Sequence, residues 1–272
     1  MSSTIQRQRA AARARLERQM GERLEEARKR KQRNAVIGAA VALLLVIGGT
    51  IWLMKVVGGD DQTPAATPNA LPDGQVCTWA PDAAGNPNLK DVGTPPTEVS
   101  AKGKQTMTIT TSAGVVEIAV NTAKAPCTAA SFTYLAGKNF FDNTKCHRLT
   151  TEGIKVLQCG DPSGTGMGGP SYKFAEENLP NVTDQATAYP AGTVAIANTG
   201  QPGSSGSQFF LVYGPSPLES KYTVLGTITK GLDIVEKIGA AGAVDKDGKA
   251  IGDGAPKTPV TVTSVKMTPA ES

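Results

Sequence analysis

Apolar and polar positions alternate differently along four stretches of the chain. Residues 35–54, AVIGAAVALLLVIGGTIWLM, carry no charge for twenty consecutive positions. At about 1.5 Å per residue, a helix of that length spans ~30 Å, the thickness of a bilayer's hydrocarbon core. Residues 5–33, ahead of it, mix Arg, Glu, Gln and Ala, with Leu16, Met20 and Leu24 at i, i+4 and i+8. That spacing predicts a charge-rich helix. Residues 58–104 turn to Gly, Pro, Asp, Thr and Ala, which bury too little apolar surface to order themselves and predict a tether. Cys77 and Trp79 break that composition, so a segment near 76–80 is expected to dock on a folded body.

From Gln105 onward, short alternating runs are broken by Gly and Pro. Residues 106–111 and 115–120 flank a Ser-Ala-Gly turn and predict a β-hairpin. Pro126 opens a helix of about ten residues that stops at Gly137, with proline at its first turn. Further strands are expected at 145–149, 154–159, 193–197, 208–212, 222–228 and 260–266, and a second short helix at 231–239. Many short strands, two helices and no regular βα alternation predict a mainly β, closed antiparallel β-barrel with helical caps. The expected organisation is a basic helical tail (1–34), a transmembrane segment (35–57), a tether (58–104) and a folded domain (105–272).

Charge orients this plan. The net charge of +4 is concentrated in residues 1–34, which hold 11 Lys+Arg against 4 Asp+Glu and leave 17 against 20 for the rest. A mildly acidic body argues against nucleic-acid binding there. The basic tail is a solvated face, with attraction to anionic headgroups as a second role. Arg28 to Arg33 crowd one end of the apolar run, while Trp52 and Lys55 mark the other. The positive-inside rule places the amino terminus in the cytoplasm and the folded domain outside the cell membrane. A cleavable signal peptide has a shorter n-region and a shorter apolar core, so an uncleaved signal anchor is expected. All four cysteines follow the apolar run. An even count on one side of a membrane fits two disulfides in an oxidising compartment, against four buried thiols.

Candidate chemistry lies in 146–177 and 192–214, two glycine-rich stretches between expected strands. A hydrolase triad would need His147, the chain's single histidine, and GSSGS does not match a G-x-S-x-G elbow. Cys146, Cys159 and His147 supply too few zinc ligands at the wrong spacing. GTGMGG lacks the Lys-Ser/Thr ending of a phosphate loop.

The order of motifs is more specific. His147-Arg148, then Leu157-Gln158-Cys159-Gly160-Asp161, then Gly164-Thr165-Gly166, Gly168-Gly169, Tyr172 and Phe174 resemble the first signature block of the cyclophilin-type peptidyl-prolyl cis-trans isomerases. Ala197-Asn198 and Gly206-Ser207-Gln208-Phe209-Phe210 resemble the second. The likeness covers residues 105–268, and the tail, anchor and tether look like the membrane-anchored cyclophilins of high-GC Gram-positive bacteria. It implies an eight-stranded barrel with two capping helices, and isomerisation of X-Pro bonds in proteins outside the membrane, with no cofactor or metal. Arg148 matches the family's catalytic arginine; a surface arginine in a salt bridge is the plain alternative. Val156, Phe210 and Leu218 would line the proline pocket, Gln158, Gln208 and the main chain of Ala197, Asn198 and Thr199 would hold the substrate backbone, and Tyr222 stands where many relatives carry His. The partners implied are proline-containing polypeptides.

Three departures qualify the likeness. Two extra residues separate Arg148 from Gln158, so the family's pocket phenylalanine falls at Lys155, with Ile154 beside it. Pro217 replaces the tryptophan of cyclosporin-sensitive relatives, which implies weak cyclosporin binding. Cys146 and Cys159 fall on expected neighbouring strands, where a disulfide would lock the intervening loop; Cys77 is matched with Cys127 as a guess. A non-catalytic proline-peptide-binding module is the alternative function, favoured slightly by Lys155.

Overall fold

The computed structural model describes residues 74–82 and 85–270. The tail, the anchor and the first part of the tether lie outside the described residues. Among the described residues, no helix is long and apolar enough to cross a membrane.

The expected hairpin forms from Gln105–Thr111 and Gly114–Val120, paired in register from Gln105↔Val120 to Thr111↔Gly114. Its alternation puts Met107, Ile109, Val116, Ile118 and Val120 inside, as the two-residue period of a strand requires. These strands belong to one antiparallel sheet that curls strongly. In order it runs Ala250–Ile251, Ala243–Val244, Asp253–Pro256, Arg148–Thr150, Val156–Cys159, Phe209–Val212, Thr193–Ile196, Val224–Lys230, Gly114–Val120, Gln105–Thr111, Thr261–Met267 and Thr144–Lys145. Thr144–Lys145 sits at the sheet's last edge, yet Arg148–Thr150, three residues on, pairs near its other end with Val156–Cys159. Continuity of the chain from 144 to 150 therefore carries one edge of the sheet back round to the other. Register shifts at Val194/Ala195, Ile228/Lys230 and Val262/Ser264 bend the strands and increase their twist.

The strand inventory differs from the expected eight. The expected strand at 145–149 is split at Cys146-His147, and short strands at 243–256 extend the sheet. The described residues hold three helices rather than two. Pro126–Gly137 (α1) and Leu232–Ala241 (α3) are the expected pair, and Gln185–Ala188 (α2) is a single turn capped by the Asp184 carboxylate. At the start of α1, Ala125 gives no side-chain cap. Glu177 supplies it, accepting the Cys127 and Thr128 N–H groups and the Thr128 hydroxyl at 3.1, 2.9 and 2.8 Å. An anion there also suits the positive end of the helix dipole.

The tether expectation requires correction from residue 74 onward. The described residues of 74–104 contain four short strands, of which Ala80–Pro81 pairs with Tyr172–Lys173 and Leu89–Lys90 pairs in parallel with Gly169–Pro170. Cys77 is bonded to Cys127. Trp79 stands edge-on to Tyr172 and Phe174, with ring centroids 5.4 and 5.5 Å away. These two anchors order a segment whose composition alone would not, and they make it a strap across the domain.

The core lies within the curl of the sheet. Phe132, Leu135, Phe140 and Phe141, from α1 and the turn after it, pack there with Met107, Ile109, Phe209 and Leu211. A second, smaller apolar cluster lies on the opposite face of Phe209–Val212: Val156, Ala188, Tyr189, Ala195, Phe210 and Val212, with Ile154, Leu218 and Tyr222 packed against it.

Candidate active site

The smaller cluster forms the floor of a pocket of about 140 Å³ lined by Arg148, Ile154, Val156, Gln158, Ala197, Asn198, Phe210, Leu218 and Tyr222. Val156 and Phe210 reach it from adjacent strands, paired through Val212↔Val156 and Phe210↔Gln158. Phe209 and Phe210 face opposite ways, as strand alternation demands: Phe209 meets Phe132 and Phe141 edge-on in the core, while Phe210 meets Tyr222 edge-on at 5.4 Å. Tyr189 supports that pair from behind. Its hydroxyl donates to the Tyr222 carbonyl and accepts the Tyr222 N–H, both at 2.9 Å.

Arg148 stands on the rim. Its Nε and Nη2 donate to the two carboxylate oxygens of Asp253 at 2.8 and 2.7 Å, a bidentate fork that fixes the plane of the guanidinium. Nη1 donates to Gln158 Oε1 at 3.3 Å. The hydrogen bond to Asp253 holds the guanidinium above its ordinary pKa against the opposing effect of partial burial. Asp253 is correspondingly held below the usual carboxylate range by Arg148. The cation is permanent, and among the described residues two of its five N–H groups have no partner.

The amides beyond it are oriented in one direction. Gln208 Nε2 donates to the carbonyls of Gly166 and Gly168 at 3.0 and 2.9 Å. Its Oε1 must then accept, and it does so from Gln158 Nε2 at 2.8 Å. That leaves Gln158 Oε1 facing Arg148. Two backbone carbonyls of the glycine loop thus set, through two amides, which face of Gln158 the arginine meets. The glycine loop is itself folded around Asp161, whose carboxylate accepts the Ser163 N–H and hydroxyl and the Gly166 N–H. Burial alone would raise the Asp161 pKa; bonds from Ser163, Gly168 and Gly166 outweigh it and keep the group below its ordinary value.

Several expectations are refined by this geometry. Arg148, Val156, Gln158, Ala197, Asn198, Phe210, Leu218 and Tyr222 converge on one pocket. Thr199 and Gln208 line a neighbouring groove. Both N–H groups of Gln208 are used inside the protein, so its side chain orients Gln158 and keeps one acceptor position on Oε1. Asn198 is similar: its Nδ2 donates to the Lys221 carbonyl and its Oδ1 accepts the Gly200 N–H, which leaves its main chain to face outward. Lys155 does not line the pocket. Between Arg148 and Gln158 the chain turns at Glu152–Ile154, where the Ile154 N–H donates to the Glu152 carbonyl, and Ile154 rather than Lys155 enters the pocket. Lys155 is exposed, lies over Gly214 and donates its N–H to Ser216 Oγ.

Cys146 and Cys159 are bonded, just outside the Arg148↔Gln158 pair. His147, between Cys146 and Arg148, has a buried Nδ1 without a hydrogen-bond partner among the described residues. Burial lowers its pKa, the charge of Asp161 opposes that shift and Arg148 adds to it. Sequence reasoning missed Asp253, which lies 105 residues from Arg148, and Glu176, which binds the Gly203 and Ser204 N–H groups and shapes the 198–205 loop. Nothing local marks either residue. Among the described residues, no group of acidic, His or Cys side chains could hold a metal ion.

Comparison with known proteins agrees with this geometry. The profile of the family described as "Cyclophilin type peptidyl-prolyl cis-trans isomerase/CLD" matches residues 106–267. A "Probable peptidyl-prolyl cis-trans isomerase B" of Mycobacterium leprae is 46% identical over 191 residues, 66% of this chain and 61% of that protein. Its counterpart in Mycobacterium tuberculosis is 44% identical over 193 residues, 66% of this chain and 58% of that protein. The chain thus spans about three-fifths of the length of these relatives. A crystal structure of a Cryptosporidium parvum cyclophilin type peptidyl-prolyl cis-trans isomerase shares the fold, with TM-score 0.52 and 24% identity over 62% of this chain and 99% of that one. A second crystal structure, in the presence of the dipeptide Ala-Pro, gives a TM-score of 0.51. This chain belongs to the cyclophilin-type peptidyl-prolyl cis-trans isomerase family.

Proposed function

We propose that the domain catalyses cis-trans isomerisation of X-Pro bonds in polypeptides, with Arg148 as the catalytic residue. The bond is a partial double bond with a barrier of about 18–20 kcal/mol, and unaided exchange takes tens to hundreds of seconds. Twisting it removes the resonance and leaves a lone pair on the prolyl nitrogen. A fixed cationic donor beside an apolar cleft stabilises that twisted state more than either planar one, and no nucleophile or cofactor is required. The observation that carries the reading is the placing of the Asp253-clamped Arg148 guanidinium on the rim of a pocket walled by Val156, Phe210 and Leu218. The pocket takes the proline ring, and Gln158 and the main chain at 197–199 take the flanking backbone. The Ala-Pro dipeptide named in the Cryptosporidium structure supports a proline-containing ligand.

The clients are exported chains, and the domain works on the outer face of a membrane. The uncharged run at 35–54, the basic residues before it and the two disulfides after it support that placement. Pro217 in place of an aromatic residue next to Leu218 makes cyclosporin a weak ligand. A proline-peptide binder without turnover is favoured by one observation, the pocket's aliphatic Ile154. The two readings separate by following exchange of a proline-containing peptide with the full chain and with Arg148→Ala. Catalysis by the wild type that is lost in the variant supports the enzyme; equal rates, with peptide still bound, overturn it.

A further inference from the structure

Beside the proline pocket lies a second groove, of about 450 Å³, which shares Gln158, Ala197 and Asn198 with it. One of its walls comes from the strap, through Asp82 and Asn86, residues that precede the 106–267 region shared with the family. The strap is fixed there at several points. The disulfide to Cys127 holds one end, strand pairing to 169–170 and 172–173 holds its middle, and the Tyr134 hydroxyl holds the far end by donating to the Val92 carbonyl. Asn86 Nδ2 donates to the Met167 carbonyl at 3.1 Å. It thereby ties the strap to the same glycine loop whose Gly166 and Gly168 carbonyls orient Gln208.

The chemistry of the lining is distinctive. Its charged side chains are Asp82 and Lys173, and these pair with each other at 2.6 Å, so the wall carries no net charge. The remainder offers amides, hydroxyls and backbone groups from Asn86, Thr199, Ser204 and the glycine loop. Asn86 uses one of its two N–H groups on Met167 and one acceptor position on the Asn88 N–H, which among the described residues leaves one donor and one acceptor position.

Resting on the isomerase reading, we infer that the strap forms a specificity subsite, in which Asn86 and its surroundings select an uncharged, hydrogen-bonding side chain flanking the substrate proline. An extended substrate that seats its proline in the first pocket runs along the shared wall and delivers a neighbouring side chain into this groove. A charged side chain there would lose its hydration against a wall whose charges already satisfy each other, whereas a glutamine or serine exchanges water for amide and hydroxyl partners.

The test uses the full chain and proline peptides in which each flanking position in turn carries Gln, Glu, Lys, Leu or Ala in an alanine background. At one position kcat/KM should favour Gln over Ala by about fivefold, the worth of one hydrogen bond, and that ratio should fall towards one in Asn86→Ala. Asp82→Asn should move the preference towards Glu by about threefold, because Lys173 loses that carboxylate partner. A merely structural role for the strap would not produce a charge-specific shift. Identical rankings in the wild type and both variants, or no side-chain preference in the wild type, overturn the inference. All-alanine peptides report the isomerase reading separately. If they and every other peptide go uncatalysed, that reading fails, and the same ratios taken as peptide dissociation constants by calorimetry decide the subsite.

Discussion

Phe209 and Phe210 are neighbours in sequence and have opposite surroundings. Phe209 is fully buried among Phe132 and Phe141, inside the curl of the sheet. Phe210 is 5% exposed and forms the floor of the pocket with Tyr222. One strand thus separates a side whose packing supplies stability from a side whose packing supplies a binding surface. The lesson is that burial alone does not distinguish core from site. What distinguishes them is whether polar groups converge above the buried ring, as Arg148 and Gln158 do above Phe210.

The sharpest way to break this comparison is to truncate each ring. Phe209→Ala should destabilise the domain by about 3–5 kcal/mol through the cavity it leaves, read by denaturant unfolding, with little change in activity per folded molecule. On the other side, Arg148→Ala should lower kcat/KM by about 10²–10³-fold, the usual penalty for removing a donor that acts in the transition state. Its unfolding midpoint should move little, since Arg148 is only half-buried and its ion pair with Asp253 lies at the surface. Phe210→Ala should give about a tenfold loss in kcat/KM, carried mainly by KM, because the ring's apolar contact serves ground and transition states alike. If Phe210→Ala unfolds the protein as readily as Phe209→Ala, the division between the two faces fails.

Smaller effects sharpen it. Asp253→Asn keeps one acceptor for Arg148 but loses the charged fork, so kcat should fall about threefold to tenfold while KM holds, consistent with a positioning residue. The last test uses His147, whose folded-state pKa is depressed by burial. The unfolded chain then binds the proton more readily, so His147's contribution to stability is complete above its ordinary pKa. That contribution is lost as pH falls from there through the lower folded-state value. Thermal melting from neutral to acidic pH should therefore show a decline that His147→Asn reduces. Activity per folded molecule should stay level, because Arg148 remains charged throughout.

Elements with a strong local period were legible in the sequence. The 105–120 hairpin, α1 behind Pro126 and α3 between glycines all appear within a few residues of their expected limits. So was the convergence of most pocket residues, because two motif blocks carry them. Partners brought in from a distance were not legible. Asp253 reaches Arg148, and Glu177 caps α1, only once the sheet has curled, and no nearby pattern encodes either. The bonding of Gln208 was hidden for a related reason: nothing near it in sequence says that two carbonyls will claim both its N–H groups. The strap was misjudged because strands of two or three residues carry no period; its order comes from Cys77 and Trp79, the two residues that stood out.

The bond between Cys77 and Cys127 also determines how the domain bears load. A pull arriving from residues before 74 meets a covalent junction to α1 within a few residues. Force therefore passes into the helix, and the strap's short ladders after Cys77 are shielded from being unzipped one hydrogen bond at a time. For the same reason, a protease cut anywhere between residues 78 and 126 leaves two fragments that migrate as one until a reductant parts them.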